Sequence, residues 1–525
     1  MSDQRDPQSG AAPQRSAPTD SLGSDSLAAG VVLLLSLAVV QRIVGFARSV
    51  LFCRWLPPEQ LGQWDLAFSF LMLAAPLTVL GLSGSFGRYI EHFRHRGQLR
   101  PFLRRTTAAM AALAVVGVGV LLLRPDWFSR LIFDSPEYTR LLLMLAGVLV
   151  VMVVFNYLVE LFTALRQARV VSGMQFGNSL MFAIFGGVLI STWRSQAAAV
   201  VAAFGLATLC TSLIGLWHLR GAWRLIPEPN EALGHRPLWA KVVPYAGWLW
   251  GTNVMANLFE VADRYMIVHF GRMESTEALA VVGNYHSSRI VPLLMVAVST
   301  LIGGWMLPHL SHDWERGRRR EVSDRLNLAV KLWGLTLVAG AVAVLVASPL
   351  IFGWAFAGKY DGGLAVLPWT LTYCVWSGIG LLAANYLWCV EKARLTCLVY
   401  LCGLVVNVAL NIQLLPRMGL LGAVLATSAG HLIALTLILA LSRMSGMRID
   451  RAVVPIVLLP LTISLGPALA TLVLLAVAVL LIRTDWILSG PEKQQLAELA
   501  APIAARLPVV GRMIRFVGAE APSAS

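Results

Sequence analysis

The sequence predicts an all-α polytopic membrane protein with two six-helix lobes around a central cavity. Three observations lead to this fold class: the composition, twelve long apolar tracts, and a similarity between the two halves of the chain. Of the 525 residues, 57% are hydrophobic and 13% are charged, against roughly 45–50% and about 25% in soluble proteins. This balance excludes soluble enzymes, nucleic-acid-binding proteins and disordered scaffolds.

Twelve apolar tracts are long enough to span a membrane, because about 20 helical residues cross a bilayer core of about 30 Å. They lie near residues 27–53, 61–83, 106–123, 139–164, 172–193, 197–219, 240–267, 279–307, 326–352, 364–390, 395–415 and 419–442. A further apolar stretch, residues 453–488, is too long for one upright helix, and Gly466-Pro467 can divide it. We therefore expect one or two C-terminal helices, with fourteen spans favoured and thirteen as the alternative.

The positive charge of the chain predicts its orientation. The net charge is +14, and most Lys and Arg residues fall in every second loop between the apolar tracts. Loops rich in Lys and Arg are cytoplasmic in membrane proteins. We expect a cytoplasmic N-terminus and, from the basic bias after residue 490, a cytoplasmic C-terminus. Much of the net charge therefore sets topology and does not indicate nucleic acid as a partner.

The predicted domain boundaries follow from these tracts and loops. They are a disordered cytoplasmic tail at 1–26, an N-lobe of helices 1–6 at 27–220, a cytoplasmic linker at 221–239, a C-lobe of helices 7–12 at 240–445, C-terminal membrane segments at 446–490 and an amphipathic cytoplasmic tail at 491–525.

The two sets of six tracts are related in sequence. Aligning Arg48 with Arg264 brings the stretch Gly62-Gln63-Trp64-Asp65 onto Gly283-Asn284-Tyr285-His286 after a five-residue insertion. Both halves then enter the membrane in the same sense, as in transporters whose parallel repeats enclose a substrate path.

Ionisable residues inside the predicted spans mark the candidate site, because each costs at least about 2.5–3.5 kcal/mol to place in lipid. Arg42 and Arg289 lie near mid-membrane, and Arg48 and Arg264 lie in the outer half. An excess of arginine suits an anionic substrate, since guanidinium pairs bidentately with phosphate and stays charged. We predict that these four arginines line a substrate cavity; snorkelling of Arg48 to the outer interface is the alternative.

Four further residues are candidates for ion coupling. Asp65, Asp263 and His286 lie in the outer half of their spans, and Glu160 lies near the inner end of the fourth helix. For Asp263 the alternative is a local ion pair with its neighbour Arg264.

No catalytic residue, metal site or cofactor is predicted. The six cysteines lie in or beside apolar tracts, and none forms a CxxC motif or a Cys/His cluster with zinc spacing. A membrane glycosyltransferase, polymerase or ligase would need a sizeable outer loop, and the longest one here, near 124–140, is too short. The sequence therefore predicts a transporter and not an enzyme.

Several stretches carry a family resemblance: Arg42-Ile-Val-Gly-Phe-Ala-Arg48 with Leu61-Gly62, Asp263-Arg264, Gly283-Asn284-Tyr285, Arg289-Ile-Val-Pro292 and Phe356-Ala-Gly-Lys-Tyr360. Over about residues 27–445 the chain resembles the bacterial lipid-linked oligosaccharide flippases of the multidrug/oligosaccharidyl-lipid/polysaccharide (MOP) exporter superfamily. These include O-antigen-type exporters and lipid II flippases. The resemblance implies a MATE-like fold of two six-helix lobes around a cavity.

The resemblance also implies a function. It is the translocation of an undecaprenyl-pyrophosphate-linked oligosaccharide across the bacterial cytoplasmic membrane, by alternating access, for polysaccharide biosynthesis. The implied partners are that substrate, membrane lipids, and a polysaccharide polymerase or glycosyltransferases.

Two alternatives remain within the superfamily. Arg42, Arg48 and Arg289 match arginine positions of the lipid II branch, but that branch also has basic residues in helix two, where this chain has Leu73-Ala-Ala-Pro76. This departure favours a polysaccharide-unit exporter over a lipid II flippase. A drug or cation antiporter would be expected to have a carboxylate-lined cavity.

Overall fold

The computed structural model describes residues 27–193, 196–226, 228 and 233–494, and this part of the chain is almost entirely helical and contains no strand. The predicted N-terminal tail and nearly all of the predicted C-terminal tail lie outside the described residues.

The described residues of the first half form eight helices. Six long ones coincide with the first six apolar tracts, and two short ones, α3 and α5, lie between them. The helices are α1 (Leu27–Trp55), α2 (Pro58–Val79), α3 (Phe86–His95), α4 (Leu99–Leu123), α5 (Pro125–Phe133), α6 (Thr139–Ala164), α7 (Ala168–Thr192) and α8 (Ala197–Leu225).

The second half, as far as the structure describes it, begins with six long helices that coincide with the other six tracts, and two shorter helices follow. They are α9 (His235–Phe270), α10 (Ser275–Glu315), α11 (Arg319–Leu350), α12 (Asp361–Cys389), α13 (Ala393–Met418), α14 (Leu420–Met444), α15 (Val453–Leu458) and α16 (Pro467–Arg483).

Among the described residues, ten helices are long and apolar enough to cross a membrane, or eleven if the bent pair formed by α2 and α3 counts as one span. The prediction of an all-α multi-pass membrane protein is confirmed. The helix α9 is outside that set and carries several polar residues, including Asp263 and Arg264. The number of spans stays a prediction.

A bend of 66° separates α2 from the segment that contains α3. Leu80 and Gly81 make the turn with φ values of 48° and 70°, a region that favours glycine. The helix α3 is amphipathic: it buries Phe86, Tyr89, Ile90 and Phe93 and exposes arginines on its other side. This division into an apolar and a basic side is typical of helices that lie along a membrane surface.

The C-terminal apolar stretch forms a hairpin. The helix α15 continues into a 3₁₀ segment, Leu459–Leu465, and Gly466 (φ 102°) separates that segment from α16. The predicted break at Gly466-Pro467 is present. A total of fourteen membrane spans would require the C-terminal stretch to divide into two short segments in this way.

A buried lysine joins the two ends of this hairpin. Lys331 of α11 is fully buried, and its Nζ lies 2.7 Å from Asp450 Oδ2 and 2.6 Å from Glu492 Oε1. Burial alone would raise the pKa of Asp450, but the hydrogen bond and charge of Lys331 lower it overall. Asp450 precedes α15 and Glu492 follows α16. Both ends of the hairpin are therefore bound to the same position on α11.

Candidate functional site

A cavity of about 670 Å³ lies between the two halves of the molecule. Helices α1, α2 and α7 supply most of its wall from the first half, and α9 and α10 supply it from the second. All four arginines predicted to line a cavity do so, together with two of the candidates for ion coupling: Arg42, Arg48, Arg264, Arg289, Asp65 and His286.

Two of these arginines come from α1. Arg42 is exposed to the cavity, and Arg48 is half-buried with its guanidinium 4.2 Å from the centre of the Phe182 ring. The contact holds Arg48 against the cavity wall, whereas snorkelling would have directed it to the outer interface. Neither arginine has a carboxylate within 4 Å among the described residues, so both charges are available to a bound anion.

Arg289 enters the cavity from α10 and is 4% exposed. Its guanidinium lies 5.1 Å from the centre of the Tyr285 ring, and its Nη2 is 3.7 Å from Glu260 Oε1 on α9. Its buried Nε has no hydrogen-bond partner within the described part of the chain. A buried donor without a partner is costly, so an acceptor from a substrate would be stabilising there.

Asp65 connects the two halves at one end of the cavity. Its carboxylate accepts a hydrogen bond from Arg264 Nε at 2.7 Å, and its Oδ1 lies 2.9 Å from His286 Nδ1. Asp65 belongs to α2 and is 3% exposed, while Arg264 and His286 belong to α9 and α10. We call these three residues the Asp65 latch. Asp65 and His286 are the two positions that the internal repeat makes equivalent.

Two glycines let α2 and α10 approach closely beside this latch. A Cβ atom built on Gly62 would lie 1.9 Å from the carbonyl oxygen of Leu279, and one on Gly283 would lie 2.0 Å from the carbonyl oxygen of Pro58. Gly62 and Gly283 are also equivalent in the repeat, so each half presents the same small residue to the other. The cavity is therefore closed at the end where α1 meets α2.

Replacing Gly283 by alanine is expected to destabilise this closed end, because backbone atoms cannot move aside as a flexible side chain can. Overpacking of this kind costs about 1–3 kcal/mol, which should lower the midpoint of thermal unfolding of the purified protein. Gly304→Ala on the same helix is the matched control, since no described atom beyond its chain neighbours and the local helix backbone lies within 4 Å of that Cβ. Equal midpoints for the two variants would contradict the close packing.

Asp263 lies behind the cavity wall in a network of its own. It is 1% exposed and accepts hydrogen bonds from Asn407 Nδ2 (2.7 Å), Thr427 Oγ1 (2.7 Å), Tyr285 OH (3.0 Å) and Asn411 Nδ2 (3.3 Å). The alternative of a local pair with Arg264 is wrong. Successive helix residues point about 100° apart, so Asp263 faces α13 and α14 while Arg264 faces α2.

The fourth candidate for ion coupling, Glu160, is exposed on α6 and does not line the cavity. Other residues of the site were not predicted from the sequence. Glu260 was one turn before Arg264 and could have been found by its spacing. The partners of Asp263 on α13 and α14 carried no local signal, because single Asn and Thr residues are common in membrane helices.

The described residues contain no group of three or more His, Cys, Asp and Glu side chains that could hold a metal ion. What the arrangement offers chemically is a positively charged cavity, an ion-paired closure at one end, and a buried carboxylate surrounded by polar groups.

Comparisons with known proteins agree with this architecture. Residues 27–311 match the family model described as polysaccharide biosynthesis protein. The lipid II flippase MurJ of Bacillus subtilis (strain 168) is 18% identical over 448 residues, which cover 78% of this chain and 81% of that protein.

Two solved structures share the fold. A structure of the lipid II flippase MurJ in an inward closed conformation aligns with a TM-score of 0.66 at 14% identity, over 86% of this chain and 99% of that one. An inward-facing MATE family multidrug resistance transporter of the MOP superfamily aligns with a TM-score of 0.63 at 13% identity, over 79% and 97%. The predicted MOP-type fold is confirmed, and these relatives are flippases and transporters, not enzymes.

Proposed function

We propose, because this chain belongs to the polysaccharide biosynthesis protein family, that it is a flippase for an undecaprenyl-pyrophosphate-linked oligosaccharide. It works in the bacterial cytoplasmic membrane by alternating access, with its N-terminus in the cytoplasm. The observation that carries the proposal is the convergence of four arginines from both halves on one cavity.

The charge balance of the cavity supports an anionic substrate. Asp65 and Glu260 are the carboxylates in the lining, and Arg264 and Arg289 lie beside them. Arg42 and Arg48 add two positive charges with no such partner. Guanidinium groups bind phosphate oxygens in pairs, so a pyrophosphate suits this excess better than a cationic drug does.

The position of Arg264 suggests how substrate binding and opening are linked. Its guanidinium lines the cavity and also closes the Asp65 latch. A pyrophosphate in the cavity competes with Asp65 for that guanidinium. Binding would therefore weaken the contact that holds the α1–α2 end closed, and the halves could then separate on that side.

The Asp263 network is the candidate for ion coupling. Its carboxylate is buried among amide and hydroxyl groups, and Asn411 Oδ1 is a buried oxygen that has no hydrogen-bond partner among the residues described. Oxygen ligands of this kind suit a hard cation, and protonation of Asp263 is the other possibility. Tyr285 connects this network to the cavity, since its hydroxyl donates to Asp263 while its ring contacts Arg289.

Two other substrates follow from the relatives. Lipid II is named for MurJ, and drugs are named for the MATE transporter. Lipid II carries the same pyrophosphate, so the arginines do not distinguish it from other undecaprenyl-linked glycans. The hydrophobic stretch Leu73-Ala-Ala-Pro76 in α2 favours the oligosaccharide, because it stands where the lipid II branch has basic residues.

Reconstituted proteoliposomes test the substrate directly. We expect fluorescent undecaprenyl-pyrophosphate oligosaccharide to cross the proteoliposome membrane and become accessible to a reagent on the opposite side. The rate of crossing should depend on the presence of the protein, and a cationic dye should not be transported. Faster movement of lipid II than of any oligosaccharide would assign the chain to the lipid II alternative. Movement of the dye alone would overturn the flippase proposal.

A further inference from the structure

A basic stripe follows one face of the surface helix α3. Arg88 and His92 are spaced four residues apart, so they stack along that face, and Arg96 follows at the same spacing directly after the end of α3. Arg88 and Arg96 are exposed. The nearby carboxylate, Glu91, is 3.1 Å from Arg94 and 3.7 Å from Arg166, so it neutralises other charges.

A fourth basic group meets this stripe from the second half of the molecule. Lys241, near the start of α9, is exposed, and its Nζ donates to His92 Nε2 at 2.9 Å. Desolvation, together with Lys241 and Arg96, lowers the pKa of His92. Among the described residues neither Arg88 nor Lys241 has a carboxylate within 4 Å. Positive groups thus converge without a protein counter-charge.

Two tyrosines hold this cluster in place. The Tyr89 hydroxyl donates to the carbonyl oxygen of Lys241 at 3.0 Å, and the rings of Tyr89 and Tyr245 are 5.7 Å apart. The Arg88 guanidinium lies 4.8 Å from the centre of the Tyr245 ring. These contacts therefore hold Arg88 of α3 and Lys241 of α9 close to one another.

The position of this basic cluster along the membrane normal suggests which anion it binds. The helix α2 has 22 residues, about 33 Å at about 1.5 Å per residue, which is enough to cross the bilayer core of about 30 Å. The bend at Leu80 and Gly81 then leaves α3 at the level of the lipid headgroups. Anionic headgroups attract basic residues that lie near the membrane surface.

We propose that Arg88, His92, Arg96 and Lys241 form a binding site for the phosphate of an anionic membrane phospholipid. The bound headgroup bridges α3 of the first half and α9 of the second. It neutralises their mutual repulsion and stabilises the arrangement in which these two helices touch. Anionic lipid is thereby a ligand of the protein, separate from the substrate cavity.

The test compares the wild type with the double variant Arg88→Gln/Lys241→Gln in nanodiscs of phosphatidylcholine, with and without phosphatidylglycerol. We expect phosphatidylglycerol to raise the unfolding midpoint of the wild type. The double variant should have the same midpoint in phosphatidylcholine but a smaller rise, with an affinity about 30-fold lower, since each basic residue contributes about 1 kcal/mol near a membrane surface. Native mass spectrometry counts the bound lipids independently.

Three further arms decide the outcome. The double variant Arg316→Gln/Arg320→Gln, which removes two other exposed arginines, should respond to phosphatidylglycerol as the wild type does. Arg88→Lys/Lys241→Arg keeps both charges and should also respond. An equal rise in the Arg88→Gln/Lys241→Gln variant would overturn the site. An equal rise with inorganic phosphate in phosphatidylcholine nanodiscs would overturn its assignment to a lipid.

Discussion

Replacing Arg42 by glutamate is expected to abolish transport while the protein remains folded in the membrane. Arg42 is exposed to the cavity and has no carboxylate within 4 Å in the part of the chain that the structure describes, so its reversal removes a phosphate-binding charge without breaking an internal pair. Losing one partner of a close charge pair costs about 2–5 kcal/mol, which is at least about 30-fold in affinity. The measurement is the rate of substrate flipping in proteoliposomes at matched protein density.

The companion variant Arg289→Glu should be at least as severe. It removes a buried guanidinium and places a second acidic group beside Glu260. Because this variant could also fail to fold, its unfolding midpoint is measured alongside its transport. Arg42→Lys keeps the charge and loses only the paired geometry, so partial activity is expected. Arg320→Glu, an exposed site outside the cavity, is the charge-matched control. Undiminished flipping by Arg42→Glu would show that the cavity arginines do not bind the substrate.

Replacing Asp65 by asparagine is expected to open the α1–α2 end of the cavity. The change leaves Arg264 buried and without its ion pair, and breaking a buried pair in this way costs about 3–5 kcal/mol. Opening lets water reach Arg264, so this cost falls mainly on the closed state. A shift of that size changes the ratio of closed to open molecules by more than about 100-fold.

Spin labels on opposite sides of that end report the shift. Glu137 precedes α6 in the first half, Asp361 begins α12 in the second, and both are exposed. In a background without the native cysteines, the distance between labels at these sites should lengthen in Asp65→Asn. The distance between Glu59 and Glu137, both in the first half, should not change. Asp65→Glu retains the charge and should stay mostly closed. An unchanged distance distribution in Asp65→Asn would mean that the latch does not hold this end shut.

The cavity arginines were accessible to sequence reasoning because of where they occur. An arginine at mid-membrane cannot remain in contact with lipid at an acceptable energy, so Arg42 and Arg289 had to face a polar cavity or a partner. The same energetic cost applies to Arg48 and Arg264, which also face the cavity. The internal repeat identified Asp65 and His286 as equivalent positions, although equivalence did not predict that they would touch.

The partners of Asp263 and the location of Glu160 could not be predicted without knowing the direction in which each side chain leaves its helix. Asp263 and Arg264 are adjacent in sequence, which suggested a local pair. Their side chains instead leave α9 in different directions and find partners on different helices. Glu160 lies on α6, a helix that is apolar on nearly every side, so the sequence held no sign of which side faces the cavity.

The sequence by itself determined the fold class, the tracts that become long helices and the buried charges that must find a polar environment. These follow from the cost of placing polar groups in lipid, which depends on residue type and on position along a span. Only the tertiary structure decided which charges meet: Asp65 with Arg264 and His286, and Lys331 with Asp450 and Glu492. Such pairs join residues far apart in the chain, and rotating one helix by a few tens of degrees would exchange their partners. The energy that selects them comes from packing between helices, as at Gly62 and Gly283, and that packing cannot be read from one helix at a time.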